Sequence, residues 1–442
     1  MKVVHVIPFF LPDTVAGTEI YCWSLCKYLQ RQGIEVEVLI PGYGLKKPAE
    51  YEYDGLKVVK YAEPTEQTRL HIAGLAAPGG MGSFSECLKE ARPDFVHFHG
   101  VYGGIGITVG HIAAAKGLGF HTVYTIHLPG DTCRTQTLVY KDQELCDGII
   151  RPLRCAACSL VHQKKNRSLA NIMAGLSGGL EKAGIDTAHW GNSLGTGLSA
   201  VNRVVDLQTK LDQLGIICDK VVLYARWFRK IMIANGFPAE KTEYIAPALS
   251  YTGESGSPII PFSFNFSDSV KLIFIGRIHL VKGVDLMLEA LQGLPEEQIE
   301  LSIYGKSEDD GYYQYCRKLS EDRKNVHWRG LLPREQLLPA FRQHDMLCLP
   351  SAFSEMSPLV IQEAFAAGLP VVASEVYGNA EQVRHNENGL LFPFKSMTGL
   401  REQLSRVIRE KDLLPTLKSR VVAPPSFDQA GEQYLALYNR IN

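Results

Sequence analysis

Short runs of β-branched and aromatic residues alternate with stretches of helical period from one end of the chain to the other. The first run, VVHVI at 3–7, is followed by Glu19–Arg31. There Ile20, Trp23, Leu25, Cys26 and Leu29 predict one broad apolar helix face. Gly33 stands where a glycine commonly stops such a helix. EVEVLI (35–40), FVHFH (95–99), TVYTI (122–126) and KVVLY (220–224) read as further strands. Runs this apolar predict a parallel sheet covered by helices on both faces.

The second half repeats the pattern. KLIFIG (271–276), IELSIYG (299–305), VHW (326–328), MLCLP (346–350), PVVAS (370–374) and LLF (390–392) read as strands. Val284–Leu291, Tyr312–Leu319, Arg334–Gln343 and Val360–Ala367 read as the helices between them. The fold class is therefore α/β, with two doubly wound halves. The boundary belongs in SYTGESGSPIIPFSFNFSDS (250–269), which is rich in Ser, Gly and Pro and has no helical period. This gives a first domain at 1–250, a second at 251–426, and a final helix within 427–442 that is expected to pack back on the first domain. Residues 160–218 look helical but are interrupted by glycines, and no chemistry is legible in them.

Length and charge fit this organisation. A chain of 442 residues exceeds what one core usually serves, so two domains of roughly 200 residues are expected. With 46 Lys and Arg against 47 Asp and Glu, the net charge is −1. That argues against a dedicated nucleic-acid binder, which needs a basic surplus. Pro8 and Pro12 interrupt the N-terminal apolar run, and no small-residue cleavage site follows, so no signal peptide is expected. No stretch reaches the ~18 apolar residues of a membrane span. The expected setting is cytoplasmic, with reduced thiols. Peripheral contact with the inner membrane face through one surface is compatible with it.

Two loops carry candidate chemistry. GRIHLVKG (276–283) leaves a strand, with Gly276 allowing a tight exit and Arg277 and Lys282 placing two cations at its mouth. Arg can grip a phosphate by paired hydrogen bonds, and Lys acts as a mobile point charge. Taken alone, this loop reads equally as a solvated basic turn. SEMSPLVIQEAFAAGLPVVAS (354–374) sets Glu355 at a strand exit, then Ser357 and Pro358, then a helix. The helix start, at Ser357 and Leu359, offers free N–H groups to an anion. Glu363 lies further along the helix and could accept hydrogen bonds from vicinal hydroxyls such as those of a ribose. Taken alone, the two glutamates read as surface carboxylates.

In this order, Arg277 and Lys282, Glu355 and Glu363, AFAAGLPVVAS, and Glu381 before NGLLF (388–392) resemble the retaining glycosyltransferases of family 4. The resemblance extends to PDTVAGTEIYCWSLCKYLQRQGIEVEVLIP (12–41), ARPDFVHFHG (91–100) and TVYTIHLPG (122–130). It implies the GT-B architecture, two Rossmann-like domains facing a central cleft. It implies sugar transfer from a nucleotide diphosphate sugar to a lipid-linked or polysaccharide acceptor in cell-surface glycan synthesis, with retention at the anomeric carbon. Arg277 and Lys282 would hold the diphosphate, Glu363 the ribose, and Glu355 hydroxyls of the donor sugar. His127 would stand near sugar and acceptor, Gly17 in the glycine loop close to the donor, and His99 is a weaker match. A front-face path, with the leaving phosphate oxygen taking the acceptor proton, goes with the family.

Several positions depart from the family pattern. Thr18 stands for a second glycine, and Met356 for a glycine after the first glutamate. EYIAPALS (243–250) lacks the usual Asn-Gly turn, and YARWFRK (224–230) lacks the usual serine. No Asp-x-Asp occurs, so no catalytic metal is expected. Two other readings stand beside this one: a GT-B nucleotide-sugar epimerase, which shares the two-domain cleft but should not need the Arg–Lys and paired-Glu loops in this order, and a non-catalytic nucleotide-sugar-binding scaffold, which would keep the same ligand residues.

Ten cysteines remain, four of them crowded between 133 and 158. Cys133, Cys146, Cys155 and Cys158, spaced C-x12-C-x8-C-x2-C within the loop 128–160, fit a structural zinc site closed by four thiolates. An iron–sulfur or redox role, or simple free thiols, fit the same spacing. A Cys-rich insertion at this place is seen in a subset of the family. The other six cysteines read as core.

Overall fold

The computed structural model describes the whole chain apart from Val15, Gln67, Arg69, Leu70, Ile72, Ala73, Leu75, residues 102–105, Lys164, Gly191, residues 250–268, Glu308 and Asn442. It divides into two units: Met1–Ala246 with Ser426–Asn442, and Pro247–Pro425. The Ser/Gly/Pro-rich boundary stretch lies outside the described residues except for Ser269.

The first unit contains β1 (Lys2–Val6), β2 (Glu35–Tyr43), β3 (Ala49–Tyr53), β4 (Leu56–Glu63), β5 (Phe95–His99), β6 (His121–Ile126), β7 (Val139–Tyr140), β8 (Glu144–Leu145), β9 (Lys220–Leu223) and β10 (Thr242–Tyr244). Eight of these form one sheet in the order β10-β9-β6-β5-β1-β2-β4-β3. All its pairings are parallel except β3 with β4. Central strands are buried on both faces, which is why they are apolar throughout: Val3, Val4, Val6, Phe95, Val96 and Phe98 are fully or nearly fully buried. The β3–β4 hairpin is absent from the strands expected above. Its sequence, AEYEYDGLKVVKYAE, alternates polar and apolar residues about Asp54-Gly55, whose φ angles of 49° and 72° suit a two-residue turn. A search for continuous apolar runs passes over such an edge hairpin.

Helix Gly17–Arg31 begins two residues before the expected start. Helix Phe427–Ile441 belongs to this unit. Its buried tyrosines anchor it: Tyr434 Oη lies 3.0 Å from Tyr21 Oη, and Tyr438 Oη lies 2.6 Å from His97 Nδ1. Arg31 pairs with Asp428 at the surface. The stretch that resisted reading folds as helices Pro152–His162, Arg167–Lys182, Ser193–Leu198 and Ala200–Ile217. Their shared core is built mostly from small residues: Ala156, Ala157, Ala170, Ala174 and Ala200, with Leu160, Val201 and Val204. A core of alanines gives a weak hydrophobic period, hence the poor signal.

The second unit contains β11 (Val270–Ile275), β12 (Ile299–Tyr304), β13 (Val326–Gly330), β14 (Met346–Leu349), β15 (Val371–Ser374) and β16 (Gly389–Phe392). They form one parallel sheet ordered β13-β12-β11-β14-β15-β16. Alternate residues feed two cores: Leu272 and Phe274 one, Ile273 with Leu347 and Leu349 the other. Strand order reverses between β11 and β14, the place where doubly wound sheets open a ligand crevice. The helix expected over 334–343 is a 3₁₀ turn, Arg334–Gln336, followed by helix Leu337–Arg342. Pro339 explains the split, since proline is accommodated only in a helix's first turn.

Candidate active site

The loops after β11 and β14 are the two that carry the predicted phosphate and sugar ligands. Beyond β11 the chain stays pinned to the segment after β12. Gly276 N–H donates to Tyr304 O at 3.0 Å, and Ile278 N–H to Lys306 O at 3.0 Å. His279 Nδ1 then accepts Val281 N–H at 3.3 Å, opening the 3₁₀ turn Leu280–Lys282. Gly283 ends the turn at φ 69°, and a Cβ there would lie 2.1 Å from Pro350 O. Only glycine fits both demands. Its neighbour Val281 accepts Ala352 N–H through its carbonyl at 2.7 Å. The two loops are thus locked side by side, and Lys282 is aimed along the exit of β14.

Its Nζ donates to Glu355 Oε1 at 2.6 Å. Ser351 Oγ donates to the same oxygen at 2.9 Å. Glu355 is 7% exposed, and the Phe353 ring lies 5.0 Å from the Lys282 ammonium. A third loop closes on this group: a Cβ on Gly378 would sit 2.1 Å from Glu355 O. Asn379 Nδ2 ties the third loop to Ser374 O at 3.0 Å, and Ser374 Oγ donates to Ser351 O at 2.7 Å.

Several polar groups in these loops are buried and unpaired. Ser354 Oγ, Ser357 Oγ, Asn379 Oδ1 and both amide atoms of Gln362 make no hydrogen bond. Leaving such groups unpaired is costly, so a cluster of them marks a place where a polar ligand would complete the bonding. Helix Leu359–Ala366 starts after Pro358 without a side-chain cap, so its first N–H groups stay available to an anion. Glu363 lies on that helix, and burial raises its carboxyl above the ordinary range, with the Arg334 charge working in the opposite direction. Arg277 is exposed.

In the first unit, His127 follows β6 and is 7% exposed. The Tyr224 hydroxyl donates to His127 O at 3.1 Å and lies 3.2 Å from Nδ1. His127 Nε2 is 3.1 Å from His99 Nδ1, and His99 Nε2 is 3.0 Å from His5 Nδ1. Burial lowers His127 to about 3 and holds His99 and His97 well below the usual histidine value, so these three rings are neutral near pH 7. Gly17 is the exposed first residue of helix Gly17–Arg31, whose N-cap Ala16 supplies no side-chain cap. Four residues beyond His127, Asp131 receives the Tyr124 hydroxyl at 3.0 Å, and burial lifts its carboxyl to about 7.

The profile described as "Glycosyltransferase Family 4" matches residues 15–163, and that described as "Glycosyl transferases group 1" matches residues 257–420. Together the two matches make the chain a family 4-like glycosyltransferase. Among relatives of this family 4-like chain, a D-inositol 3-phosphate glycosyltransferase of Kribbella flavida is 29% identical over 167 residues, 35% of this chain and 39% of that one. The amylovoran biosynthesis glycosyltransferase AmsK of Erwinia amylovora is 26% identical over 220 residues, 46% of this chain and 52% of that one. The chain spans about half or less of the curated relatives it matches. Among solved structures, Anabaena Alr3699/HepE in complex with UDP and glucose aligns over 99% of both chains with a TM-score of 0.62 at 14% identity. Sucrose-phosphate synthase of Thermosynechococcus elongatus aligns over 100% of this chain and 99% of its own, with a TM-score of 0.64 at 16% identity. The shared fold is GT-B.

Most of the predicted residues fall into three sets. Gly276, Lys282 and Glu355 are brought into one locked pair of loops, with Arg277 on its rim and Ser357, Leu359 and Glu363 along the following helix. His127 and His99 share one hydrogen-bonded chain in the first unit. Cys133, Cys146, Cys155 and Cys158 are half-buried and outside any disulfide. Sequence reasoning missed Ser351, Ser354, Gln362 and Asn379. Ser351 and Ser354 had a signal, two small hydroxyls flanking Glu355 at a strand exit. It also missed Asp131 and Glu19. Glu19 is buried, one of its carboxylate oxygens is unpaired, and burial raises its carboxyl. Nothing in local spacing marks either acid.

Proposed function

We propose that this glycosyltransferase moves a sugar from a nucleotide diphosphate sugar to a lipid-linked or polysaccharide acceptor, with retention at the anomeric carbon. The observation that carries the proposal is the Lys282–Glu355–Ser351 group at the sheet's reversal point, ringed by unpaired buried hydroxyls. In the reaction, the bond from the anomeric carbon to the diphosphate oxygen breaks and a bond to an acceptor oxygen forms. The acceptor proton passes to the leaving phosphate oxygen. Lys282 and Arg277 offset the charge growing on that phosphate, with the helix N-terminus at Leu359 as a further donor set. Glu355 accepts hydrogen bonds from donor-sugar hydroxyls, and Glu363 accepts them from the ribose. UDP and UDP-glucose are bound in solved neighbours, which makes a UDP-sugar the first donor to try.

The test is turnover of radiolabelled nucleotide sugars with lipid-linked and oligosaccharide acceptors. Transfer with retained configuration supports the proposal. Epimerised nucleotide sugar, or donor binding without product, would replace it by the epimerase or scaffold reading.

A surface feature supports a lipid-linked acceptor. Helix Arg167–Lys182 buries its small residues, Ala170, Ala174, Ser177 and Gly178, and turns its large ones outward. Leu169, Ile172 and Leu176 fall on one stripe and are 47%, 60% and 58% exposed. Lys165, Arg167 and Lys182 stand exposed at the two ends. Residues 151–203 carry seven Lys or Arg against two acidic residues, in a chain of net charge −1. An apolar stripe with a cationic surround complements an anionic bilayer surface. No helix among the described residues is long and apolar enough to cross a membrane, so such contact would be peripheral. Vesicles of phosphatidylcholine with phosphatidylglycerol should pellet the protein, and pure phosphatidylcholine should not. Leu169→Ser with Ile172→Ser and Leu176→Ser should abolish pelleting. A concentration-dependent dimer that these changes dissolve, without vesicle binding, would assign the stripe to self-association instead.

A further inference from the structure

The segment between β6 and helix Pro152–His162 is unusual for its length. It holds only a three-residue 3₁₀ turn and the two-residue strands β7 and β8. Gln136, Leu138, Lys141 and Asp142 all lie in the left-handed region, at φ 57°, 49°, 49° and 59°. Those are four of the eight non-glycine residues with positive φ among the described residues, packed into seven positions. Side-chain-bearing residues resist that conformation, so something must hold the loop in it. Leu138 and Val139 are buried, but two apolar side chains are a small anchor for so long a segment.

The sulfurs of Cys146, Cys155 and Cys158 receive backbone N–H groups from three separate places. Lys141 N–H donates to Cys158 Sγ at 3.1 Å, and Arg151 N–H to Cys155 Sγ at 3.3 Å. Gly148 N–H donates to Cys146, across a turn that places Gly148 at φ 73°. A neutral thiol is a weak acceptor, whereas a thiolate is a strong one. These N–H donors are aimed as they would be at metal-bound sulfur; in this structure the same sulfurs also donate S–H to Asp147 Oδ1 at 3.8 Å, Ile149 O at 3.8 Å and Val139 O at 3.6 Å. Cys133, Cys146 and Cys155 are all near enough to Cys158 to interact electrostatically.

We propose that Cys133, Cys146, Cys155 and Cys158 bind one zinc ion that clamps this loop. Zinc has no geometric preference of its own beyond the tetrahedron four thiolates make, and a closed four-sulfur set leaves no open position for catalysis. The ion is structural, and its loading is coupled to ordering of the loop. As described, no three of these sulfurs lie within 4.8 Å of one another, so loading would draw them inward. The tightest three-ligand group among the described residues is elsewhere: His5, Cys22 and His99, all buried, with their ligand atoms within 4.8 Å. That group is fully buried, and its two imidazoles already bond to each other.

The experiment is elemental analysis of the full-length purified protein, with zinc release followed colorimetrically as thiols are titrated by a mercurial. One zinc per chain is expected, in line with a four-thiolate site. Cys155→Ser and Cys158→Ser should lose it, and Cys22→Ala should keep it. Should the serine variants fail to fold, cobalt substitution of the wild type decides. A four-thiolate cobalt spectrum, with strong sulfur-to-metal charge-transfer bands, supports the site. Four freely titrating thiols and no zinc would overturn the proposal. So would iron with acid-labile sulfide, or zinc lost from Cys22→Ala alone. None of these outcomes depends on whether the enzyme transfers sugar.

Discussion

Lys282→Ala separates a stabilising role from a chemical one. The substitution strands Glu355, whose Oε1 then keeps only the Ser351 hydroxyl at 2.9 Å in place of the 2.6 Å ammonium bond as well. Removing one partner of a buried pair costs about 3–5 kcal/mol. The Lys282 side chain is 18% exposed and Ser351 remains, so the cost falls at or below the bottom of that range, about 2–3 kcal/mol. For a unit the size of Pro247–Pro425 this lowers its Tm by about 5–10 °C, measured by calorimetry. Turnover should fall by roughly 10²–10³-fold, the range for losing one preorganised donor to a growing oxyanion. The double variant Lys282→Ala/Glu355→Gln removes the stranded charge as well. It should recover most of the lost stability and none of the lost activity. Turnover within a few-fold of wild type in Lys282→Ala, or activity returning with stability in the double variant, would refute the phosphate role. Lys282 would then be no more than the counter-ion of Glu355.

Ser357→Ala should move stability and binding in opposite directions: removing a buried hydroxyl without a partner stabilises the free protein by about 1 kcal/mol, while donor affinity in calorimetric titration falls several-fold. Glu363→Gln should weaken donor binding roughly tenfold; in the wild type the carboxyl is raised by burial, so its ionised, hydrogen-bond-accepting form is lost early as pH falls, and an affinity–pH profile unchanged by the substitution would count against a ribose contact. Asp131 has a folded value of about 7 against an ordinary 3.8, so the folded state holds a proton that the unfolded chain releases, and its own contribution to stability should decline as pH rises from about 4 to 7; the stability difference between Asp131→Asn and wild type should therefore shift in favour of the variant over that range, giving it the higher melting temperature at pH 8. The buried histidines act with the opposite sign: His111 at about 4 and His127 at about 3, with His97 and His99 also depressed, take up protons only on unfolding, so the first unit should lose stability steeply below about pH 6.5, and an unfolding free energy flat from pH 6.5 to 5 would show that they are solvated.

What was legible followed from period and chemistry. Strands such as FVHFH and helix Val284–Leu291 came out with the observed bounds, because buried parallel strands and two-sided helices have strong periods. Arg277, Lys282, Glu355 and Glu363 stood out only because their order along the chain resembles that of the family 4 glycosyltransferases; taken alone, each pair reads as solvated surface charge. What was hidden had weaker physical signatures. The edge hairpin of β3 and β4 is half solvated, the helices after residue 152 meet through alanines, and Pro339 shifts a helix start by a turn. The inverted helix Arg167–Lys182 could not be read from sequence at all. Its apolar residues suggest a core face, and only the packing of Ala170 and Ala174 reveals that the larger side chains point outward.

The site itself depends on adjacency that spacing along the chain does not express. Lys282 and Glu355 are 73 residues apart, yet their loops leave neighbouring strands. The sheet order places β11 beside β14 while the intervening β12 and β13 extend to one side. Consecutive right-handed crossovers on one side of β11, followed by crossovers on the other, leave the space above the β11–β14 boundary uncovered by any connection. The glycines then set how closely the loops approach. Gly283 lets the β11 loop lie against Pro350, and Gly378 lets the β15 loop lie against Glu355. Insertions after β13 should therefore be tolerated, since that loop carries none of these contacts, whereas the segment after β12 is bonded to the β11 loop through Ile278 and Lys306. A side chain at either glycine should separate Lys282 from Glu355 without touching one catalytic atom. Gly283→Ala, with its Cβ forced against a backbone carbonyl at a left-handed position, is the sharper case. It should cost activity as severely as losing the lysine, and the packing of the loops, as much as the charges they carry, is what makes this a site.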